Sequence, residues 1–136
     1  CENLCFSSEE KLARRHTTNI KRDLPNTIAS AISRIVTRWS EMTDRIELYT
    51  ESYARAFTNP VELEPVFRQF VLAAEVAAQE GLGLNAGHDL DLNNLPRFAT
   101  VPGLLEVSIG HALTVDAIRL GLADTIAAYQ RALGKH

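Results

Sequence analysis

Gly83-Leu-Asn-Ala-Gly-His-Asp-Leu90 and Glu106-Val-Ser-Ile-Gly-His-Ala-Leu113 carry the same short pattern twice. Each copy has a short apolar run, then Gly-His, then the start of a helical pattern. The chain between the copies has room for a helical crossover, which parallel neighbouring strands require. We therefore predict that Gly87-His88 and Gly110-His111 end neighbouring parallel strands. Both imidazoles would then lie at the carboxyl edge of the sheet, where α/β sheets and (β/α) barrels bind ligands.

The chain ahead of the first copy predicts a strand and a loop. Residues 45–50 alternate in polarity as a half-buried strand does, with Ile46 and Leu48 on one side and Glu47 on the other. Residues 51–58 are expected to form a loop or a short irregular turn.

A helix is predicted between this loop and the first copy. It begins between Asn59 and Pro65, where N-cap and N1-proline signals occur, and Gly81 is expected to end it. The expected buried stripe is Val66, Phe67, Phe70, Val71, Ala74, Ala77 and Ala78. Farther on, we predict a brief helix over 93–99, a strand over 105–109 and helices over 112–120 and 122–133.

Composition indicates an ordinary soluble domain. The 136 residues are 46% hydrophobic and 23% charged, with a formal net charge of −3. No apolar run reaches the length of a membrane span, and the start lacks a secretory signal. The two cysteines near the start give no disulfide framework, so a cytoplasmic location is expected. The chain begins with Cys1 and its single methionine is Met42, which favours a fragment over an intact natural start.

Residues 1–43 are expected to form a separate segment, folded as a helix, a turn and a second helix over 26–39. Its first half is basic, but Thr17-Thr18-Asn19 interrupts the charges. We interpret this cluster as solvated surface rather than as a nucleic-acid site. The cluster consists of Lys11, Arg14, Arg15, His16, Lys21 and Arg22.

The second Gly-His pair is a candidate anion site. Gly110 allows the backbone to approach a ligand closely, and the helix that follows opens with amides that have no partner inside the helix. A phosphate or carboxylate is favoured at such a positive helix end, where His111 adds a hydrogen bond or a charge. The alternative is a glycine kept for tight packing and a histidine that caps a carbonyl.

The first pair supplies a candidate acid–base group. Histidine titrates near neutral pH, and acid–base catalysis needs a pKa close to the working pH, which makes His88 the better catalytic candidate. Asp89 could orient a substrate hydroxyl or serve only as an N-cap. Glu47 is either a functional carboxylate or a surface or ion-paired one, because a buried unpaired carboxylate is costly. No helical metal-ligand spacing and no phosphate-binding P-loop occurs.

Three segments together resemble the C-terminal part of the pyridoxine 5′-phosphate synthase family. They are Asp44–Phe57, Gly81–Leu90 and Glu106–Leu113, whose order and spacing also fit, and Asn-Ala-Gly-His and Ile-Gly-His-Ala are the most specific motifs. The resemblance covers residues 44–136. It implies an α/β fold: about three βα units from the C-terminal part of a (β/α)8 TIM-type barrel, preceded by the helical segment 1–43.

The resemblance also implies an activity and roles for five residues. The family condenses 3-amino-2-oxopropyl phosphate with 1-deoxy-D-xylulose 5-phosphate in vitamin B6 biosynthesis, a transferase reaction. His88 would be the proton donor, and the carboxylate of Glu47 would stabilise the transition state. Asp89 stands where the backbone contacts the aminoketone phosphate, and Gly110 and His111 would bind that phosphate. The implied partners are phosphorylated small molecules and further copies of the chain, with no metal, organic cofactor, nucleic acid or membrane.

Residues 1–43 depart from the family pattern. They contain neither the Asn-x-Asp/Asn-x-Ile opening nor the His-x-Arg-x-Asp-x-Arg-His segment of the first family strands. The expectation is therefore a catalytically incomplete fragment of the synthase behind an unrelated or mis-framed leader. Two alternatives stay open: a non-enzymatic association module built from unpaired strand edges, and another phosphate-binding barrel with a different substrate.

Overall fold

A computed structural model describes residues 4–7, 17–20 and 43–134 of the chain. Strands and helices alternate along the last of these ranges, as the sequence predicts for an α/β fold. The elements are β1 (Leu4–Ser7), β2 (Thr17–Ile20), β3 (Arg45–Tyr49), α1 (Glu51–Ala56), α2 (Pro60–Gln79), β4 (Gly83–Gly87), α3 (Leu95–Phe98), β5 (Leu104–Ile109), α4 (His111–Leu120) and α5 (Leu122–Ala132).

The strands form one sheet in the order β1-β5-β4-β3-β2. Strands β2, β3, β4 and β5 are parallel to their neighbours, whereas β1 runs antiparallel to β5 at the edge. The two strands that carry the Gly-His pairs, β4 and β5, are therefore adjacent and parallel, as predicted from the repeated pattern.

The two faces of the sheet differ in polarity. Ile46 and Leu48 of β3 and Leu84 of β4 are buried in the same apolar cluster as Phe70 of α2 and Tyr129 of α5. The opposite side of β3 carries Arg45, Glu47 and Tyr49, all only partly buried. Since side chains alternate along a strand, the helices cover one face of the sheet and polar groups occupy the other.

Helix α2 begins and ends at residues that the sequence indicated. The Asn59 side chain accepts a hydrogen bond from the Val61 amide at 3.2 Å, and Pro60 is the first helical residue. At the other end the Gly81 amide donates to the Ala78 carbonyl and the Leu82 amide donates to the Ala77 carbonyl, with φ of Gly81 at 71°. These two bonds form a Schellman motif, which stops the helix.

The buried stripe of α2 differs in part from its prediction. Phe70, Ala74 and Ala77 are buried as expected, but Ala78 is exposed and Ala73 is buried in its place. Ala73 and Ala74 belong to the same buried cluster as Leu84 of β4, and their small size suits a helix that packs closely on a sheet.

Residues 51–56, expected to lie in a loop, form the short helix α1. Glu51 lies in its first turn and Arg55 in its last, which suits the helix dipole. Tyr53 and Ala56 are buried on one side of it. The helix is too short to show a clear period in the sequence. Packing of these two buried residues explains why it forms.

The expectation of a purely helical segment over 1–43 is wrong at two places, because Leu4–Ser7 and Thr17–Ile20 are strands. The run Thr17-Thr18 is β-branched, and pairing of β2 with β3 satisfies its backbone. The helix predicted over 26–39 and all six residues of the basic cluster lie outside the described residues.

Candidate functional site

The strand ends bring both Gly-His pairs to one edge of the sheet. Gly87, the last residue of β4, is paired in parallel register with Ser108 near the end of β5. His88 directly follows the first of these residues, and Gly110 directly follows the end of β5. The carboxyl edge therefore holds His88 and His111 on neighbouring strands, and both residues are exposed.

The carboxylate of Glu47 lies against Gly87. A Cβ atom placed on that glycine would be 2.8 Å from Glu47 Oε1 and 3.1 Å from Ser108 Cβ. Only a residue without a side chain leaves this space open. Glu47 thus lies on the polar face of the sheet, away from the helices. Its neighbour Gly87 directly precedes His88 in the chain.

The loop after β4 has an unusual backbone conformation. His88 and Asp89 have φ values of 100° and 55°, in the left-handed region that L-residues other than glycine seldom adopt. Thr50, the residue after β3, holds this loop: its amide donates to the Gly87 carbonyl at 2.9 Å, and its hydroxyl donates to the His88 carbonyl. Such strained residues persist where their surroundings fix them, and they concentrate at functional sites.

Asn94 fixes the far side of the same loop. Its side-chain amide donates to the Asp89 carbonyl at 3.0 Å, and its backbone carbonyl accepts the Tyr53 hydroxyl at 2.7 Å. Asp91 holds the turn that leads into α3, since its carboxylate accepts from the Asn93 and Asn94 amides at 2.8 Å. Asp89 is exposed, which leaves its side chain and amide at the rim of the edge.

Gly110 is the N-cap residue of α4, and His111 is the first residue of that helix. The Gly110 carbonyl accepts the Thr114 amide at 3.2 Å, so the helix begins directly at the tip of β5. The first-turn amides have no acceptor within an α-helix and form the positive end of its dipole. The predicted strand, glycine and helix start therefore occur in the required order.

An interstrand polar cluster that the sequence reading did not single out lies on the same face, toward the start of the strands. Arg45 Nη1 donates to Glu106 Oε2 at 3.2 Å and to Asn85 Oδ1 at 3.4 Å, which links β3, β4 and β5. The alternation that placed Glu47 opposite Ile46 also places Arg45 on this face, but its partners depend on strand register. In the described part of the chain, no group of three His, Cys, Asp or Glu residues could hold a metal ion.

Tyr53 supports the loop after β4 through its hydrogen bond to Asn94, and its burial changes its pKa. Burial raises the pKa of Tyr53 from 10.0 to about 12, and burial and a hydrogen bond to Asp116 raise the pKa of Tyr129. A raised folded-state pKa means that the stabilisation is present below the unfolded pKa and is lost as pH rises through the folded one.

We therefore expect the free energy of unfolding to fall as pH rises from about 10 toward about 12. Urea unfolding followed by circular dichroism at several alkaline pH values measures the slope. The double variant Tyr53→Phe/Tyr129→Phe should show a flatter dependence than the wild type. An unchanged slope in the double variant would contradict the assignment to these two phenols.

Within residues 43–134 and the two short strands described, no helix has the length and apolar content to cross a membrane. The fold and this edge define an α/β protein whose parallel strands present acidic, imidazole and helix-terminal groups side by side. The sequence model of the family described as "Pyridoxal phosphate biosynthesis protein PdxJ" matches residues 24–135. The chain belongs to this family. The match begins ahead of residue 44, where the sequence resemblance begins.

Curated relatives agree with this assignment. The chain is 53% identical over 92 residues to the pyridoxine 5′-phosphate synthase of Parabacteroides distasonis, a match that covers 67% of this chain and 38% of the relative. It is 48% identical over 93 residues to that of Albidiferax ferrireducens (68% and 36%) and 45% identical over 93 residues to that of Rhizobium meliloti (68% and 37%). The chain thus spans less than two fifths of the length of these relatives.

Proposed function

We propose that this chain carries the C-terminal catalytic segment of a pyridoxine 5′-phosphate synthase. The reaction would condense 3-amino-2-oxopropyl phosphate with 1-deoxy-D-xylulose 5-phosphate. The observation that carries the proposal is the convergence of Glu47, His88 and the Gly110-His111 helix start at one sheet edge. The relatives named pyridoxine 5′-phosphate synthase support the assignment of substrates.

Each group has a role that its position supports. His88 is exposed at the edge and would donate a proton to a leaving oxygen. Glu47, which lies against Gly87, would stabilise the transition state through its carboxylate.

The phosphate of the aminoketone would lie at the start of α4. The amides after Gly110 and the imidazole of His111 supply donors and a positive dipole end. Asp89 lies just after the neighbouring strand β4 and has a left-handed φ. Its backbone would add a contact to the same phosphate. One anion would then be held between two adjacent strand ends.

The wider setting of the chain is part of the same proposal. Strands β3, β4 and β5 with their helices would be the last βα units of a (β/α)8 barrel, with the polar face lining the interior. The division of the chain at residue 44 remains a prediction. A cytoplasmic location and a homo-oligomeric state would follow from the proposed enzyme.

Titration of the 136-residue chain with inorganic phosphate, followed by amide and imidazole NMR signals, tests the phosphate site. We expect shifts in the α4 start after Gly110 and in the His111 ring. Helix α5 is a matched internal control, because it also begins directly after a glycine, Gly121. His111→Ala should weaken binding about threefold to tenfold, the effect of one ordinary hydrogen bond.

The same titration can contradict the proposal. Equal shifts at the starts of α4 and α5 would show general attraction of anions to helix ends. No shift at the α4 start, together with none at His88 when 3-amino-2-oxopropyl phosphate is added, would overturn the assignment of this edge.

A further inference from the structure

The aromatic ring of Tyr49 lies against the imidazole of His88. The ring centroids are 4.2 Å apart and the planes are inclined by 35°. Ring contacts of this kind stabilise the position of both side chains beyond the area that they bury. Among the described residues 43–134, Tyr49 is the aromatic residue whose ring contacts the imidazole of His88.

The contact matters because, among the described residues, the hydrogen bonds that hold this loop reach its backbone and not the imidazole of His88. Thr50 binds the carbonyl groups of Gly87 and His88, and Asn94 binds the next carbonyl. The imidazole itself is exposed, and exposed side chains change rotamer within picoseconds to nanoseconds. A proton donor that samples several rotamers spends part of its time away from its substrate.

Tyr49 is well placed to limit that motion. It lies two residues after Glu47 on the same side of β3. Tyr49 is paired with Gly87 of β4, and Glu47 is paired with Asn85. Burial raises the pKa of Tyr49, and the nearby carboxylate of Glu51 raises it further. Strand β3 thus places the carboxylate of Glu47 against the end of β4 and the ring of Tyr49 against His88.

We propose that Tyr49 is a positioning residue that keeps the imidazole of His88 in one rotamer at the carboxyl edge. Its catalytic meaning rests on the proposed function, in which His88 donates a proton. The contact needs the ring and not the hydroxyl, so phenylalanine should replace tyrosine here and an aliphatic residue should not.

The imidazole NMR signals of the full 136-residue chain test this directly. The aromatic ring should shift the His88 ring protons upfield, and three-bond couplings should report one χ1 rotamer. His88→Gln identifies the signals by their loss. Tyr49→Phe should keep both features, and Tyr49→Leu should lose the shift and show averaged couplings. His111, on the neighbouring strand end, should be unchanged in both variants.

Two results would overturn the proposal: averaged couplings for His88 in the wild type, or a single rotamer kept in a folded Tyr49→Leu variant. If Tyr49→Leu does not fold, the wild-type signals and Tyr49→Phe still decide, since loss of the upfield shift in the latter contradicts the ring contact. Failure of the proposed function is a different result, namely no response of His88 or His111 to phosphate or aminoketone phosphate.

Discussion

Replacement of Tyr53 by alanine is expected to lower the free energy of unfolding by about 3–5 kcal/mol, as removal of a large buried ring does. The side chain has no exposed surface and lies at the centre of an aromatic cluster. Its ring centroid is 5.0 Å from that of Phe98 and 5.8 to 6.2 Å from those of the other members, Phe57, Phe67 and Phe70. The cavity would therefore disconnect α1 from α2 and α3.

The variant Tyr53→Phe separates the ring from the hydroxyl. It keeps the packing but leaves the Asn94 carbonyl, in a buried position, without its donor. We expect a cost of about 1–3 kcal/mol, the penalty of one unsatisfied buried group. Because Asn94 also holds the Asp89 carbonyl, the loop that carries His88 should become more mobile in this variant.

Urea unfolding of both variants at neutral pH gives these values, provided that the denaturant slope stays constant. Ile118→Ala is the control, since that side chain is 81% exposed and its loss should change stability by less than about 0.5 kcal/mol. Equal effects of Tyr53→Ala and Tyr53→Phe would mean that the aromatic cluster adds nothing to stability.

The pattern of elements between residues 43 and 134 could be predicted from the sequence because it depends on local signals. Alternating polarity marked β3, and the capping residue Asn59 with Gly81 marked the ends of α2. Helix α1 could not be predicted, because six residues show too little periodicity and its packing partners lie in other helices. Strand β2 depends on pairing with β3, which a single sequence does not show.

The residue types of the candidate site were predictable, but its contacts were not. The repeated Gly-His pattern and the likeness to the synthase indicated His88 and His111, and their strands are adjacent as expected. The contacts of Tyr49 with His88 and of Glu47 with Gly87 depend on the register between β3 and β4. Register is set by packing and is not a property of either strand alone.

Gly87→Ala is expected to destabilise the chain by about 1–3 kcal/mol and to displace the carboxylate of Glu47, since overpacking forces neighbouring groups to move. The new methyl group would meet Glu47 Oε1 at 2.8 Å, Ser108 Cβ at 3.1 Å and the Ser108 carbonyl oxygen at 3.3 Å. The carboxylate is the far end of a flexible side chain and should move first. A destabilised chain with a displaced carboxylate is therefore the expected state.

A double-mutant cycle shows whether the carboxylate is the group that clashes. Glu47→Ala removes the atom nearest to the new methyl group. The loss of stability in the double variant Gly87→Ala/Glu47→Ala should therefore be smaller than the sum of the two single losses by about 0.5–3 kcal/mol. Glu47→Gln keeps the size of the side chain and should show little of this relief. Gly83→Ala is the matched control on the same strand, because its methyl group would meet Arg45 Cγ at 2.9 Å and Leu105 Cδ1 at 3.0 Å instead.

Urea unfolding of the single and double variants measures the coupling free energy. If Gly83→Ala and Gly87→Ala couple equally to Glu47→Ala, the effect is general crowding of β4 and not a contact at its end. A specific coupling at Gly87 means that the carboxylate of Glu47 is what requires a glycine before His88. The two candidate catalytic groups would then be positioned by one packing constraint, and a change at either would be measurable at the other.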